Sequence, residues 1–359
     1  MPTIFWVAFV LGYVVLFKTG NPKYYSLGRM LTQWDGQHYL SIARDGYEKY
    51  PCAQRPGYTC GNVGWFPFYP LVGRAVGFVF GLFGLDFTVA MPATSWLALW
   101  LALLALYRLV ERQFGDRPAA VCIGTLLLFP TSFYYITSFP YSLFLLLAVC
   151  SLGLLQSERY GLLALPIACL AVTYPSGVVI GIPILYTVIV KWRHLGARQK
   201  LALFASLAAI GAALVLYAAY YWWKFDDFLL YLHYQEQSQY AHRITVPLLP
   251  MIDSLRHWSW KDPAVIMLIF VSVTMAIFYS RRVPVSWMLL MFGIILFTPT
   301  MGTMMCYYRH VVVAFPLFVM AGLAWESRRR RYLLLPYAIV AAVLTWTVYL
   351  FYYKAGMLM

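Results

Sequence analysis

The chain has 359 residues, of which 62% are hydrophobic and only 11% charged. Soluble domains carry roughly a quarter charged residues, so a soluble globular class is excluded; with 20 prolines and 24 glycines, collagen-like and low-complexity classes fall with it. The 27 Lys and Arg outnumber the 13 Asp and Glu and give a net charge of +14. These cations sit in short loops between apolar runs, as the positive-inside rule and contact with anionic lipid require. No basic patch interleaved with aromatic residues points to nucleic acid as a partner.

Apolar runs recur along the whole length, each approaching the ~30 Å hydrocarbon core of a bilayer. Spans are expected near 3–17, 87–107, 118–135, 138–156, 160–174, 176–190, 201–223, 263–279, 284–300, 303–325 and 332–352. The first, from Met1 to Phe17, lacks a charged start and a small-residue cleavage site, and reads as an uncleaved span. Pro140, Pro166, Pro183, Pro316 and Pro336 interrupt several runs, which bundle helices tolerate when neighbours satisfy the freed carbonyls. The expected fold is an all-α polytopic membrane protein, a single transmembrane domain over 1–359 with about eleven helices (range about 10–13). Its long connections are a first outer loop at 18–86, with interfacial helices, and a second outer loop at 224–262.

Orientation follows from the basic loops. Arg108–Arg117, Lys191–Lys200, Ser280-Arg281-Arg282 and the arginines 328–331 are expected inside, with the N-terminus inside and the C-terminus outside. Phe66–Leu85 is apolar enough to span, but its Pro67, Pro70 and Arg74 suggest a helix lying at the outer interface. The outer carboxylates are then Asp35, Asp45, Glu48, Asp86, Asp226, Asp227, Glu236, Asp253 and Asp262. Chemistry that needs an acid on the outer face must draw on these.

In the first outer loop, the stretch Trp34-Asp35-Gly36-Gln37-His38-Tyr39 opens a short helix that should start at Asp35 and end at Gly46, where glycine suits a left-handed C-terminal position. Asp35 is a good helix cap, and spacing alone favours that role. His38 lies one turn on, so that both side chains could address one cleft. Cys52 and Cys60, both expected outside and flanked by Pro51 and Pro56-Gly57, are expected to be bridged in an oxidising compartment.

The sequence Trp34-Asp35-Gly36-Gln37-His38-Tyr39, with Ile42-Ala43 and Gly46-Tyr47, resembles the signature of the GPI mannosyltransferase II (PIG-V) family and its bacterial relatives. Weaker likenesses follow in the family's order. Trp65-Phe66-Pro67-Phe68-Tyr69-Pro70 resembles "FFPLYP", Ser142-Leu143-Phe144 the end of "YSESLF", Phe225-Asp226-Asp227 with Gln235 the "FGDP…Q" stretch, and Tyr308-Arg309 with Phe315-Pro316 "RY…FP". Tyr141 stands where "YSESLF" has its glutamate. Tyr174, in Thr173-Tyr174-Pro175-Ser176-Gly177, replaces the arginine of "TRPxG".

The resemblance implies a GT-C-like integral-membrane glycosyltransferase acting on the outer or lumenal face. It implies transfer of a sugar, mannose for this family, from a polyprenyl- or dolichyl-phosphate donor to a lipid-linked or cell-envelope acceptor, a glycolipid or glycan. Asp35 matches the expected catalytic base, and a capping role is compatible with it. Inverting transfer needs a base for the acceptor hydroxyl and fixed positive charge for the departing phosphate. The catalytic residues are expected to be Asp35 and His38, and the donor phosphate is assigned to Arg309, His310 and Arg44. Snorkelling to the interface competes for such arginines. Trp34, Tyr39, Asp45, Tyr174 and Gln235 are expected around the sugar and acceptor. No cofactor and no metal are expected, since no histidine pair has ligand spacing beside a carboxylate. The alternative is a lipid or sugar transporter or flippase. Such a protein should show internal repeats and charges at mid-span, and the sequence shows neither.

Overall fold

The computed structural model describes residues 1–20, 27–53, 56–129, 131–237, 242–256, 261–304 and 307–326, without the side chains of 16–20, 254–255, 261–269 and 308. The expected span at 332–352 and the arginines at 328–331 lie outside the described residues.

Helix α1 (Pro2–Gly20) precedes a first loop holding α2 (Leu27–Leu31), α3 (Asp35–Asp45), the strands β1 (Lys49–Pro51) and β2 (Thr59–Gly61), and α4 (Phe68–Gly81). The bundle continues with α5 (Phe87–Phe114), α6 (Asp116–Leu127), α7 (Tyr141–Gln156), α8 (Ala164–Ala171), α9 (Gly181–Lys191) and α10 (Ala197–Phe225). The second connection carries α11 (Leu230–Glu236) and α12 (Leu248–Arg256), followed by α13 (Lys261–Tyr279), α14 (Val285–Thr300), α15 (Tyr307–Val311) and α16 (Pro316–Trp325).

Helix α5 is the hub, packing against α1, α4, α6 and α7, while α16 lies along α6 and α10 along α8. Leu99, Leu103 and Leu106 of α5 enter the main apolar core with Phe133, Tyr135 and Phe144. A second core lies beneath the first loop, where Tyr39, Ile42 and Ala43 of α3 meet Phe66, Tyr69, Tyr217 and Tyr221. This core seats the loop firmly on the bundle.

Among the described residues, α5 and α10 are long and apolar enough to cross a membrane. With 28 and 29 residues they exceed the ~20 residues that a ~30 Å core requires. Leu201, Phe204, Leu216 and Trp223 of α10 point outward and are exposed. A continuous apolar face of this kind is costly in water and suited to a lipid environment.

Several expected spans are shorter than their apolar runs. The run 118–135 divides into α6 and a 3₁₀ turn at Ser132–Tyr135, 160–174 contains only the eight-residue α8 after a turn, and 303–325 divides into α15 and α16. Proline is the physical cause at two breaks, because it cannot donate to the carbonyl four residues back. Pro316 leaves the Val312 carbonyl, which accepts instead from the Tyr135 hydroxyl at 2.7 Å. Pro140 leaves the Ile136 carbonyl, which accepts from the Trp96 indole N–H at 2.8 Å. The backbone polar groups are thus satisfied by side chains where the helical ladder stops.

Cys52 and Cys60 are disulfide-bonded, with Cα atoms 5.0 Å apart, and close the β1–β2 hairpin, in which Tyr50 pairs with Cys60. Of the stretch 66–85, Phe68–Gly81 forms α4, whose 14 residues give about 21 Å of helix, short of the ~30 Å core.

Candidate active site

Helix α3 begins at Asp35, as its sequence suggests, but Asp35 does not cap it. Trp34 occupies the cap position at φ 58° and makes no side-chain capping bond. That backbone region favours glycine and costs about 1–3 kcal/mol for other residues; packing of the Trp34 side chain against the main core holds it there. At the other end Gly46 has φ 90° and donates its N–H to the Ile42 carbonyl at 3.0 Å. The Arg74 guanidinium donates to the carbonyls of Ala43 at 2.6 Å and Ile42 at 3.0 Å. The Lys224 ammonium donates to the Tyr47 carbonyl at 2.5 Å. Cations at the C-terminal carbonyls complement the helix dipole. Arg74 is therefore committed to the backbone of α3.

The N-terminal end of α3 faces a cavity of about 300 Å³. Asp35 and Tyr39 line it from α3, Trp65 and Phe66 from the loop before α4, and Tyr174 from the turn before α9. Tyr231, Gln235 and Glu236 of α11, the segment His242-Arg243-Ile244, Thr298 of α14, and Arg309 and His310 of α15 complete the wall.

Asp35 Oδ2 lies 2.8 Å from Arg309 Nη2, in an ion pair whose side chains are 27% and 15% exposed. The Arg309 guanidinium also lies 6.0 Å from the Tyr134 ring centroid and 5.8 Å from that of Phe139, a range in which cation–π attraction contributes. His310 is engaged at both ring nitrogens: Nε2 with the Tyr174 hydroxyl at 2.9 Å and Nδ1 with Thr298 Oγ1 at 3.0 Å. The Tyr174 hydroxyl is also 3.4 Å from that of Tyr141. Tyr141 and Tyr174 are the positions at which the chain departs from the motif residues glutamate and arginine. The two departures are in contact, hydroxyl to hydroxyl.

Other expected site residues fall elsewhere. The His38 ring lies flat on Trp65, with centroids 3.6 Å apart and planes 15° apart, and does not line the cavity. Burial lowers the His38 pKa despite the nearby Asp35 carboxylate, which keeps the ring neutral at neutral pH. Arg44 and Asp45 bond each other at 2.9 Å, with 56% and 55% of their side chains exposed, away from the cavity. Neither side chain lines the cavity. Trp34 also lies off the cavity wall. Tyr39 does line it, and burial raises its phenol pKa well above the ordinary value, leaving a hydrogen-bonding hydroxyl. The Gln235 amide donates to the Gly64 carbonyl at 2.9 Å, fastening α11 to the first loop.

Arg243, His242, Glu236 and Tyr231 complete the wall without a motif to announce them. The signal available for Arg243 was its placement as a cation in a loop expected on the outer side. Among the described residues no group of three His, Cys, Asp or Glu side chains converges to hold a metal ion.

No family model and no curated protein matches the sequence. Solved structures do match the fold. One is ArnT from Cupriavidus metallidurans bound to undecaprenyl phosphate, at 18% identity and a TM-score of 0.57, covering 94% of this chain and 63% of that one. Another is the Archaeoglobus fulgidus oligosaccharyltransferase AglB in complex with an inhibitory peptide and a dolichol-phosphate, at 12% identity and a TM-score of 0.52, covering 97% of this chain and 55% of that one. A third, an A. fulgidus oligosaccharyltransferase in complex with Zn and sulfate, matches at 13% identity and a TM-score of 0.50, covering 87% of this chain and 47% of that one. The chain thus spans roughly half to two thirds of their length, and it shares their fold.

Proposed function

We propose that the protein is an integral-membrane glycosyltransferase that moves a sugar from a polyprenyl-phosphate carrier to an acceptor hydroxyl, with Asp35 as general base. The observation that carries this reading is the Asp35–Arg309 pair at the wall of a cavity also lined by Tyr39, Tyr174 and Gln235. A carboxylate and fixed cations share one partly enclosed, aromatic-lined site, as inverting transfer from a lipid phosphate requires. The fold neighbours add support, since ArnT is bound to undecaprenyl phosphate and AglB to a dolichol-phosphate. The outward apolar face of α10 supports a multi-pass membrane setting, with the cavity on the outer or lumenal side.

In this reaction the acceptor oxygen attacks the anomeric carbon of the donor sugar and its proton passes to an Asp35 carboxylate oxygen. The bond from that carbon to the phosphate oxygen breaks, its electron pair stays on the phosphate, and configuration inverts. Arg309 holds Asp35 in place for the proton, and Tyr174 holds His310 beside it. The PIG-V-like motif favours mannose as the sugar and a glycolipid or envelope glycan as the acceptor.

The test is turnover by purified protein of polyprenyl-phosphate mannose with a panel of glycolipid acceptors, followed by release of polyprenyl phosphate. Release that depends on acceptor and is lost in Asp35→Asn is the expected result. A protein that releases polyprenyl phosphate from no sugar donor, under conditions in which it binds the lipid, is not this enzyme.

A further inference from the structure

Resting on the glycosyltransferase reading, we infer that Arg243, on the segment between α11 and α12, is the residue that grips the donor's phosphate. The argument is one of availability. Arg309 is already paired with Asp35 at 2.8 Å. His310 is held at both nitrogens by Tyr174 and Thr298. Arg44 pairs with Asp45 outside the cavity. Among the described residues, Arg243 is the arginine that lines the cavity without an ion pair to a carboxylate.

The backbone holds Arg243 in place. Its N–H donates to the Met301 carbonyl at 3.2 Å, and the Thr245 N–H donates to the Thr300 carbonyl at 2.9 Å. This fastens the segment to the C-terminal end of α14. Gly302 permits the approach: it has φ +78°, and a Cβ there would lie 2.7 Å from the Arg243 carbonyl oxygen. The turn after α14 thus needs glycine both for its own conformation and for its neighbour.

The chemistry suits this division. The donor is a phosphodiester with one negative charge, and the released polyprenyl phosphate is a monoester that carries more. An arginine fork matches phosphate oxygens and strengthens as that charge grows. Arg243 lies next to Ile244, which is 86% exposed, and Leu232 of the same cavity wall is exposed as well. The phosphate would therefore sit beside an apolar edge able to receive the start of the prenyl chain. Arg309 is left as a positioning residue for Asp35.

The experiment measures equilibrium binding of undecaprenyl phosphate, undecaprenol and inorganic phosphate to the full chain in detergent. Wild-type protein should bind the lipid phosphate more tightly than the neutral alcohol. Failure to discriminate would defeat the lipid-phosphate reading itself, whereas the inference about Arg243 is decided by the variants. Arg243→Ala should weaken undecaprenyl phosphate at least about tenfold, the effect of losing one charge-assisted hydrogen bond, while undecaprenol binding stays unchanged. Arg243→Lys should recover part of the loss, and Gly302→Ala should weaken the same ligand by displacing the segment. Arg309→Gln should change lipid-phosphate binding less than Arg243→Ala and lower turnover more. Inorganic phosphate binding as tight as the lipid would assign the site to free phosphate instead. If Arg243→Ala binds undecaprenyl phosphate like wild type, or if Arg309→Gln alone loses it, the assignment is wrong.

Discussion

Asp35 of α3 and Arg309 of α15 come from opposite ends of the chain and meet in an ion pair at 2.8 Å. Both remain partly exposed to the cavity, so an acceptor can reach the carboxylate while the pair stays closed. Arg309 fixes which way the carboxylate faces, and the rings of Tyr134 and Phe139 flank the guanidinium.

Asp35→Asn preserves size and removes the proton acceptor. Because Asp35 makes no capping bond at the start of α3, the helix should persist. Turnover is expected to fall by about 10²–10⁴-fold, the usual weight of a general base, with a thermal midpoint close to wild type. Turnover and unfolding curves measured on the same preparation check this. Near-normal turnover would move the base to Glu236, the other carboxylate at the cavity wall.

A double-mutant cycle tests whether Arg309 acts through Asp35. Asp35→Asn, Arg309→Gln and the double variant should be non-additive in kcat/KM by about 0.5–3 kcal/mol, the range for residues in contact. Independent contributions would show as simple addition, and Arg309 would then have a role of its own.

His38 sets a pH-dependent stability. Burial lowers its pKa below the ordinary 6.5, so the unfolded chain takes up a proton near that pH and the folded chain only at lower pH. Stability is therefore full above about pH 6.5 and falls as the pH drops through the window beneath it. His38→Phe keeps a flat ring against Trp65 and removes the titration. Its unfolding midpoint should vary less than that of wild type between about pH 7 and 5. Parallel curves for the two proteins would show that the His38 ring is not kept neutral by burial.

Arg74 anchors the C-terminal end of α3 through two backbone carbonyls. Arg74→Gln should destabilise the protein by about 1.5–3 kcal/mol, the range for hydrogen bonds to a charged group, and should not selectively weaken lipid-phosphate binding. A variant that folds like wild type but loses lipid phosphate would give Arg74 a donor-binding role instead.

The helical class, the start of α3, its glycine stop and the Cys52–Cys60 bridge were legible because each depends on short stretches of chain. Composition speaks for burial in lipid, Gly46 for a left-handed turn, and closely spaced cysteines for a closed hairpin. The contents of the cavity were less legible. His38 sits at helical spacing from Asp35, but spacing says nothing of Trp65, whose indole receives the ring. Arg44 pairs with its sequence neighbour Asp45 on the exposed side of α3, off the cavity wall. Arg243 had no motif, because its position depends on hydrogen bonds to residues 300 and 301 across the fold. The contact between Tyr141 and Tyr174 shows the same limit: each looked like an isolated departure, and only the fold brings them together.

The proline breaks carry a consequence for the order in which the chain assembles. The Val312 carbonyl, orphaned by Pro316, is satisfied by a hydroxyl 177 residues earlier in the chain. The Ile136 carbonyl finds its partner 40 residues earlier, on α5. In both cases the later segment waits on an earlier one, and a chain made from its N-terminus supplies them in that sequence. The bend between α15 and α16 has its freed carbonyl satisfied by the segment that carries Tyr135. Arg309 lies three residues before that carbonyl, so its place opposite Asp35 depends on the same earlier segment.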